Sequence, residues 1–97
     1  MTHTLKTDPE VYDALHPDQK TFEIRFNDRN FQVGDFLILE RTESTGAEMK
    51  EGAPLVYSER RKVRRITYIM RGPVYGLSEG WVIMSVKPYE HIKDGAI

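Results

Sequence analysis

The sequence predicts a small α+β domain in which one short helix accompanies about five or six strands of a curved sheet or barrel. Three observations support this class. Residues 21–26 alternate polar and apolar side chains, residues 36–39 are apolar without interruption, and a helix signal with an early proline lies near the N-terminus. With 97 residues the chain is expected to form one domain that spans residues 1–97.

The first elements are a short strand at the N-terminus and a helix of about two turns. Thr7 or Asp8 is placed to cap this helix, Pro9 suits its first turn, and an acidic residue follows near the positive end of the dipole. The dipeptide at positions 16–17 ends the helix, because the residue before a proline avoids the helical region. Such a short helix is not stable alone and must dock against another part of the protein.

Strand signals continue through the rest of the chain. The alternation in residues 21–26 predicts a half-buried strand that turns Phe22, Ile24 and Phe26 towards the core. The further predicted strands lie at residues 36–39, in the basic stretch that continues into residues 66–70, and at residues 80–86. Between them, turn-forming residues predict a surface loop at 42–54, and the chain is expected to end in a polar tail at 88–97.

Composition restricts the class of protein. The chain has no cysteine, which excludes disulfides and thiolate chemistry, and its 14 basic and 15 acidic residues leave a net charge of −1. That balance argues against coating nucleic acid by bulk charge. No apolar run approaches the roughly 18 residues of a membrane span, and no signal-peptide pattern is seen. We therefore expect a cytoplasmic protein without a membrane partner.

The histidines give no metal motif. His3, His16 and His91 are far apart in sequence, and none forms the short-spaced pair that is typical of zinc sites. The sequence also contains no glycine-rich phosphate loop and no nucleophile elbow. Neither a metal nor another cofactor is predicted.

The polar face of the strand at residues 21–26 is the first candidate site. Thr21, Glu23 and Arg25 share this face, and Lys20 lies at its entrance. As ordinary surface, this face would carry a solvated ion pair that contributes about 0–1 kcal/mol. As a binding site, Lys20, Thr21, Glu23 and Arg25 would line a ligand cleft. Arginine then offers a planar fork of donors and glutamate accepts hydrogen bonds, as the edge of a base requires.

The second candidate is a basic strand that contains Arg60, Arg61, Lys62, Arg64 and Arg65. Alternation would place Arg64 beside the core, and a bulge near Arg65 would remove that conflict. One interpretation is an edge strand that charge protects against aggregation. The other is a track for the backbone of a nucleic acid, because basic side chains contact phosphates without reading the base sequence.

The segment KTFEIR at residues 20–25 has a short helix before it, and a Val-Gly-Asp turn at 33–35 and an apolar strand after it. In this arrangement it resembles the ASCH domain of the PUA-like superfamily. Residues 20–39 and 76–86 together are similar to an ASCH-related subfamily of bacteria and their phages. The resemblance implies a PUA-like β-barrel with a flanking helix, a cleft lined by the polar face of residues 20–25, and a role in nucleic-acid metabolism.

Some ASCH proteins are amidohydrolases that remove the acetyl group of N4-acetylcytidine with a lysine, a threonine nucleophile and a distant glutamate. Lys20 matches the lysine, whereas Glu23 stands at the position of the threonine. A carboxylate does not simply replace an activated hydroxyl in acyl transfer. The leading hypothesis is therefore a non-catalytic module that binds RNA or a nucleotide, in which Lys20 and Arg25 contact phosphate or base acceptors and Glu23 accepts from a base amino group.

Two alternatives remain open from the sequence. The first is an amidohydrolase acting on a modified nucleoside such as N4-acetylcytidine, with Lys20, Thr21 and Glu23 as its catalytic residues. The second is an interaction protein that binds a protein partner through the loop at residues 42–54.

Overall fold

Five strands form one sheet in the computed structural model, which describes residues 1–16 and 19–89. In chain order the elements are β1 (Thr2–Thr7), α1 (Pro9–Asp13), β2 (Phe22–Phe26), β3 (Phe36–Thr42), α2 (Gly46–Lys50), β4 (Tyr57–Arg71) and β5 (Trp81–Pro88). The order across the sheet is β1-β3-β4-β5-β2. β1 runs parallel to β3, whereas the other neighbours are antiparallel.

The sheet curls until its two edge strands, β1 and β2, approach each other. Arg25 of β2 donates a hydrogen bond to the carbonyl oxygen of Lys6 at 3.1 Å, and Arg29 donates one to the carbonyl oxygen of Thr4 at 2.7 Å. The gap between the two edges, which these side chains bridge, is called the seam below. The predicted small barrel-like domain with short helices is thus confirmed at the level of a curled, five-stranded half-barrel.

The core fills the concave side of this half-barrel. Leu37 and Leu39 of β3 and Met84 of β5 have no exposed surface, and α1 closes one end of the core with Tyr12. The buried apolar residues are Leu5, Tyr12, Leu15, Phe31, Leu37, Leu39, Ile66, Val82, Met84 and Val86. Burying one large apolar side chain of this kind stabilises the fold by about 1.5–3 kcal/mol relative to leaving it exposed.

The helix α1 begins where the sequence predicts. Asp8 occupies the N-cap position and Pro9 follows in the first turn, but the Asp8 side chain makes no capping bond to its own helix. Its carboxylate instead accepts a hydrogen bond from the Gly46 amide at 3.0 Å. This contact ties the start of α2 to the start of α1.

The predicted surface loop at residues 42–54 contains the short helix α2, which corrects that prediction. Thr45 and Glu48 form a reciprocal capping box, in which each side chain accepts a hydrogen bond from the other's amide, at 3.0 and 2.7 Å. The spacing Thr-x-x-Glu is a known sign of a helix start, so the sequence did carry this signal. Within the described ranges, no helix is long and apolar enough to cross a membrane. Residues 90–97 of the predicted polar tail lie outside the described residues.

The strand β2 faces the opposite way from the prediction. Phe22, Ile24 and Phe26 are 41, 47 and 53% exposed, whereas Glu23 is 1% exposed and pairs across the sheet with the buried Met84. The prediction that the three apolar residues turn towards the core is therefore wrong. Strict alternation defines two faces of a strand, but it does not specify which of them is buried. The polar face can be the buried one when cations balance the charge of its acidic residue.

A bulge divides β4 into two parts with opposite orientation. The register against β5 shifts between Ile66 and Tyr68, which makes Thr67 the extra residue. Before the bulge, Arg64 and Ile66 are buried on the inner face, and beyond it Tyr68 is exposed. The predicted bulge near Arg65 thus has a different effect from the one expected, because it moves Tyr68 outwards and leaves Arg64 against the core.

Asp35 joins the N-terminus to the turn that precedes β3. Its buried carboxylate accepts hydrogen bonds from the His3 ring at 2.8 Å, the Gln32 amide at 3.0 Å and the α-amino group of Met1 at 3.2 Å. Gly34 adopts a φ of 96°, which favours glycine in this turn. Burial alone would raise the pKa of Asp35, but these hydrogen bonds outweigh it and lower the pKa below its ordinary value. The ionised carboxylate therefore stabilises the junction of β1 and β3.

Replacing this carboxylate by an amide should lower stability in a pH-dependent way. We expect Asp35→Asn to reduce the free energy of unfolding at pH 7 by about 1–3 kcal/mol, since charge-assisted hydrogen bonds are lost. Because the pKa of Asp35 is lowered in the folded state, its contribution is fully present above the ordinary value of 3.8 and disappears as the pH falls through the folded value.

Urea denaturation at pH 7 and pH 2.5, followed by the fluorescence of Trp81, measures this contribution. The difference in stability between the natural protein and Asp35→Asn should shrink at the lower pH. A difference of the same size at both pH values would show that ionised Asp35 does not stabilise the fold.

Candidate functional site

A cleft opens at the seam, between β2 on one side and the end of β1 with α1 on the other. Its volume is about 330 Å³, within the range of small-molecule sites. Val11, Phe22 and Ile24 form apolar walls, and Lys20, Glu23 and Arg25 provide charged groups. The remaining lining residues are Lys6, Thr7 and Asp8. The cleft therefore combines apolar surfaces with a small set of polar groups, as ligand sites usually do.

The carboxylate of Glu23 lies at the centre of the polar wall. Its side chain is 2% exposed. One oxygen accepts a hydrogen bond from the Lys20 ammonium group, and the other accepts from Arg25 Nε and Nη2 at 3.3 and 3.1 Å. Two cations thus balance one carboxylate, which a buried charge requires.

Arg25 connects this carboxylate to the opposite edge of the sheet. Besides Glu23, its guanidinium donates to the carbonyl oxygen of Lys6 at 3.1 Å and to the hydroxyl of Thr7 at 3.5 Å. The planar guanidinium fork suits several acceptors in fixed directions. Arg25 is therefore held from both sides of the seam, and its orientation is set before any ligand binds.

Lys20 reaches the cleft from the chain segment before β2. Its ammonium group donates to the carbonyl oxygen of Phe22 as well as to Glu23, and it lies 5.0 Å from the centre of the Phe22 ring. Its amide donates to the carbonyl oxygen of Ala14 at 2.8 Å, which fixes this segment to the end of α1. The Lys20 head group is thus positioned by both helix and strand.

Thr21 lies elsewhere. Its side chain is exposed, it precedes the first residue of β2, and it is not among the residues that line the cleft. Its carbonyl oxygen accepts a hydrogen bond from the amide of Val86 at 3.1 Å. The structure therefore brings together Lys20, Glu23 and Arg25 of the predicted ligand-binding set and leaves Thr21 outside.

The residues that β1 and α1 contribute to the cleft were not predicted. Lys6, Thr7 and Asp8 come from the far edge of the sheet, and Val11 comes from the helix. Strands β1 and β2 are separated by three other strands in the sheet order, so no local spacing predicts their approach. The helix signal near the N-terminus predicted α1 itself but not its position beside residues 20–25.

The cleft continues as a groove along the seam. Adjacent cavities of about 470 and 330 Å³ share Arg25 with the cleft. The cations along cleft and groove are Lys6, Lys20, Arg25, Arg29 and Lys50, and the carboxylates are Asp8, Glu23 and Asp28. The walls of the groove therefore carry an excess of positive charge.

The basic residues of β4 do not share one surface. Arg64 is 8% exposed and donates to the carbonyl oxygens of Val63 and Leu15, at 3.1 and 3.3 Å. Lys62 lies on the same inner face, where it pairs across the sheet with the buried Leu39. The predicted backbone track of five basic residues is thus divided between the two faces of the strand.

The other basic residues of β4 separate in the same way. Arg60 and Lys62 line a cavity beside the end of α1, whereas Arg61 lies opposite Glu40 on the outer face. Arg65 is also exposed on the outer face, next to Lys87 of β5. A single nucleic-acid strand that followed β4 would therefore meet only part of this set.

The histidines do not converge on a metal site in the described part of the chain. His3 is buried against Asp35, His16 is exposed after α1, and His91 lies outside the described residues. Among residues 1–16 and 19–89, no group of three or more His, Asp or Glu side chains is arranged to hold a metal ion.

Removing Arg25 should destabilise the protein through Glu23. We expect Arg25→Ala to lower the free energy of unfolding by about 2–3 kcal/mol, less than for a fully buried pair, because Lys20 still contacts Glu23. Adding Glu23→Gln to that variant should cost less than the same change in the natural protein. Urea denaturation of the two single variants and the double variant measures the coupling, which we expect to exceed about 1 kcal/mol. Additive losses would contradict the pairing.

Comparison with known families gives a match over most of the chain. A family model described as "Domain of unknown function (DUF3850)" matches residues 2–86. No curated protein matches the chain. The matched span includes β1, both helices, β2 to β4 and most of β5, and with them every residue that lines the cleft. Because the match covers far more than half of its length, the chain belongs to the DUF3850 family.

Proposed function

We propose that the cleft is a non-catalytic binding site for a base of RNA or of a free nucleotide. The observation that carries this proposal is the buried carboxylate of Glu23, held between Lys20 and Arg25 on the wall of a cleft with apolar sides. The carboxylate recognises an amino group of the base. Phe22, which lies at the rim, packs against the face of the base.

The arrangement of donors and acceptors suits the edge of a base. Adenine and cytosine present an amino donor next to a ring acceptor, and single-stranded nucleic acids expose these edges. Glu23 accepts from the amino group, and the N–H groups of Lys20 and Arg25 donate to the adjacent acceptor. Uracil presents a carbonyl oxygen where cytosine has its amino group, so it would place an acceptor against the carboxylate.

Stability alone does not account for these charges. An apolar group of similar volume is often as stabilising as a buried ion pair, or more so. Glu23 lies next to core residues such as Met84, where an apolar side chain could pack. Charged groups that converge in a cleft with apolar walls are typical of ligand sites.

The groove along the seam offers a path for flanking nucleotides. Lys6, Arg29 and Lys50 line the cavities beyond Arg25 and can contact phosphates without reading the base sequence. We assign the backbone path to this groove rather than to the basic strand β4, whose side chains point in two directions. The resemblance of residues 20–39 and 76–86 to ASCH-related proteins supports a role in nucleic-acid metabolism and a PUA-like form of the barrel. The cytoplasmic location expected from the sequence is part of the same proposal.

A hydrolase acting on a modified nucleoside such as N4-acetylcytidine is the alternative. Lys20 and Glu23 are close enough to transfer protons in the cleft. Thr21, the hydroxyl expected from the sequence, is exposed and lies outside the cleft, and the threonine that lines the cleft is Thr7. Since Thr7 contacts Arg25 rather than Lys20, the geometry favours binding over acyl transfer.

Base preference tests the binding proposal. The natural protein should bind the tetranucleotides of cytidine or adenosine roughly tenfold or more tightly than that of uridine, because one good contact to a base edge is worth about 1–3 kcal/mol. Glu23→Gln should remove most of this preference, since its amide presents both a donor and an acceptor. Amide chemical-shift titrations give the affinities and should show the shifts at residues 6–8 and 20–25.

The control for this experiment is Arg61→Ala, on the outer face of β4. It should leave the base preference unchanged and alter affinity by less than about threefold. Equal affinity for all three tetranucleotides in the natural protein, or shifts confined to residues 60–65, would refute recognition by Glu23.

Incubation with N4-acetylcytidine separates binding from hydrolysis. We expect no release of cytidine over several hours, because no activated hydroxyl faces Lys20 in the described part of the cleft. Chromatography of the nucleosides provides the measurement. Release of cytidine that Lys20→Ala abolishes would replace the binding proposal with the hydrolase.

A further inference from the structure

A second cavity of about 370 Å³ lies between the end of α1 and β4. It is called the α1–β4 pocket here. Its lining residues are Tyr12, Asp13, His16, Arg60 and Lys62. None of these residues lines the cleft at the seam, so the α1–β4 pocket is a separate feature of the surface.

Tyr12 presents a buried donor to this pocket. The residue is 4% exposed, yet its hydroxyl makes no hydrogen bond to any residue within 1–16 and 19–89. Burial raises the pKa of Tyr12, and the nearby Arg60 and Arg64 oppose this effect without reversing it. The hydroxyl therefore keeps its proton and can donate a hydrogen bond to an acceptor. A buried polar group without a protein partner is rare and calls for a bound water or ligand.

Three cations near Tyr12 have no carboxylate partner in the described chain. The Lys62 ammonium lies 5.7 Å from the centre of the Tyr12 ring, and neither Lys62 nor Arg60 forms an ion pair with a described residue. The guanidinium of Arg64 is buried, and within residues 1–16 and 19–89 it donates only to carbonyl oxygens. Its positive charge thus has no compensating anion among the described residues, and burying such a charge costs free energy.

Asp13, the acidic residue of the pocket, does not provide that compensation. Both of its carboxylate oxygens accept from Arg41, at 3.0 and 3.3 Å. These bonds from Arg41 are the main reason why the pKa of Asp13 is lowered. Because the charge of Asp13 is already balanced by a residue outside the lining, the α1–β4 pocket retains an excess of positive charge.

We infer that the α1–β4 pocket binds a phosphate group, with Arg60 and Lys62 as charged donors and Tyr12 as a neutral donor. Donors from a helix and from a strand approach the pocket from different directions, which suits a tetrahedral oxyanion. A phosphate monoester carries a charge near −2 at pH 7, which matches the two lining cations and the neighbouring Arg64 better than a singly charged carboxylate does. The site goes beyond the proposed base recognition, because it shares no residue with the cleft.

Titration with inorganic phosphate at constant ionic strength tests this inference. Amide shifts at residues 12–16 and 60–62 should saturate, and sodium acetate at the same ionic strength should not reproduce them. Arg60→Ala and Lys62→Ala should each weaken phosphate binding about tenfold, as expected for a charge-assisted hydrogen bond. Tyr12→Phe, which keeps the ring in the core, should weaken it several-fold.

The matched control is Arg61→Ala, which removes the same charge from the opposite face of the same strand. It should change phosphate affinity by less than twofold. Shifts that do not saturate, equal shifts with acetate, or an equal loss in Arg60→Ala and Arg61→Ala would overturn the inference, because each would indicate a general charge effect.

A nucleotide ligand distinguishes this pocket from the cleft. A trinucleotide with a 5′-phosphate should bind more tightly than the same trinucleotide without it, both in the natural protein and in Glu23→Gln. The advantage should disappear in Lys62→Ala. If the 5′-phosphate gave no advantage in either protein, the pocket would not bind a terminal phosphate of nucleic acid, even where base recognition by Glu23 holds.

Discussion

Glu23 places a carboxylate on the concave side of the sheet, where its charge is balanced by Lys20 and Arg25. Since neighbouring residues of a strand face opposite sides, this burial turns Phe22 and Ile24 outwards. It also directs Arg25 inwards and across to β1, so that the two edges of the sheet are linked. The cleft, the seam and the apolar outer face of β2 thus have one common cause.

Buried charged groups that are held by hydrogen bonds also occur at two other places in the molecule. Asp35 is buried because His3, Gln32 and the α-amino group satisfy it, and it fixes the start of β1 against β3. Arg64 is buried with its donors on carbonyl oxygens, and it contributes charge beside the α1–β4 pocket. In a chain of 97 residues, with a modest core, such polar junctions determine where the edges and helices lie.

Much of the fold could be predicted from local patterns. The proline at the start of α1, the apolar run of β3 and the alternation of β2 all gave the correct type of element. The orientation of β2 could not be predicted, because an alternating strand has one apolar and one polar face whichever way it lies. The bulge at Thr67 was likewise displaced from its expected position, since only the register with β5 determines where the extra residue falls. The spacing of Thr45 and Glu48 matches a capping box, but the turn-forming residues around it predict a loop.

The candidate site was predictable only in part, for a topological reason. Lys20, Glu23 and Arg25 lie within six residues of one another, so a single strand pattern brought them together. Thr7 and Asp8 belong to the opposite edge strand and reach the cleft because the sheet curls. No pattern within one segment specifies how strongly a sheet curls, and the partners across the seam therefore remained hidden. The division of the basic residues of β4 between two faces follows from strand geometry. In contrast, only the packed structure shows that the Tyr12 hydroxyl has no hydrogen-bond partner among the described residues.

The seam also determines which part of the domain deforms most easily. Its edges are joined by side-chain hydrogen bonds from Arg25 and Arg29, each with a net contribution of about 0.5–1.5 kcal/mol, or somewhat more for a charged donor. Every other pair of neighbouring strands is joined by a backbone ladder, and a register shift interrupts this ladder once between β3 and β4 and once between β4 and β5. Separating β1 from β2 therefore breaks a few side-chain bonds and leaves the ladders intact. The half-barrel therefore opens more easily at the seam than between any other two neighbouring strands. Ligands of different thickness can enter there at a small cost in free energy.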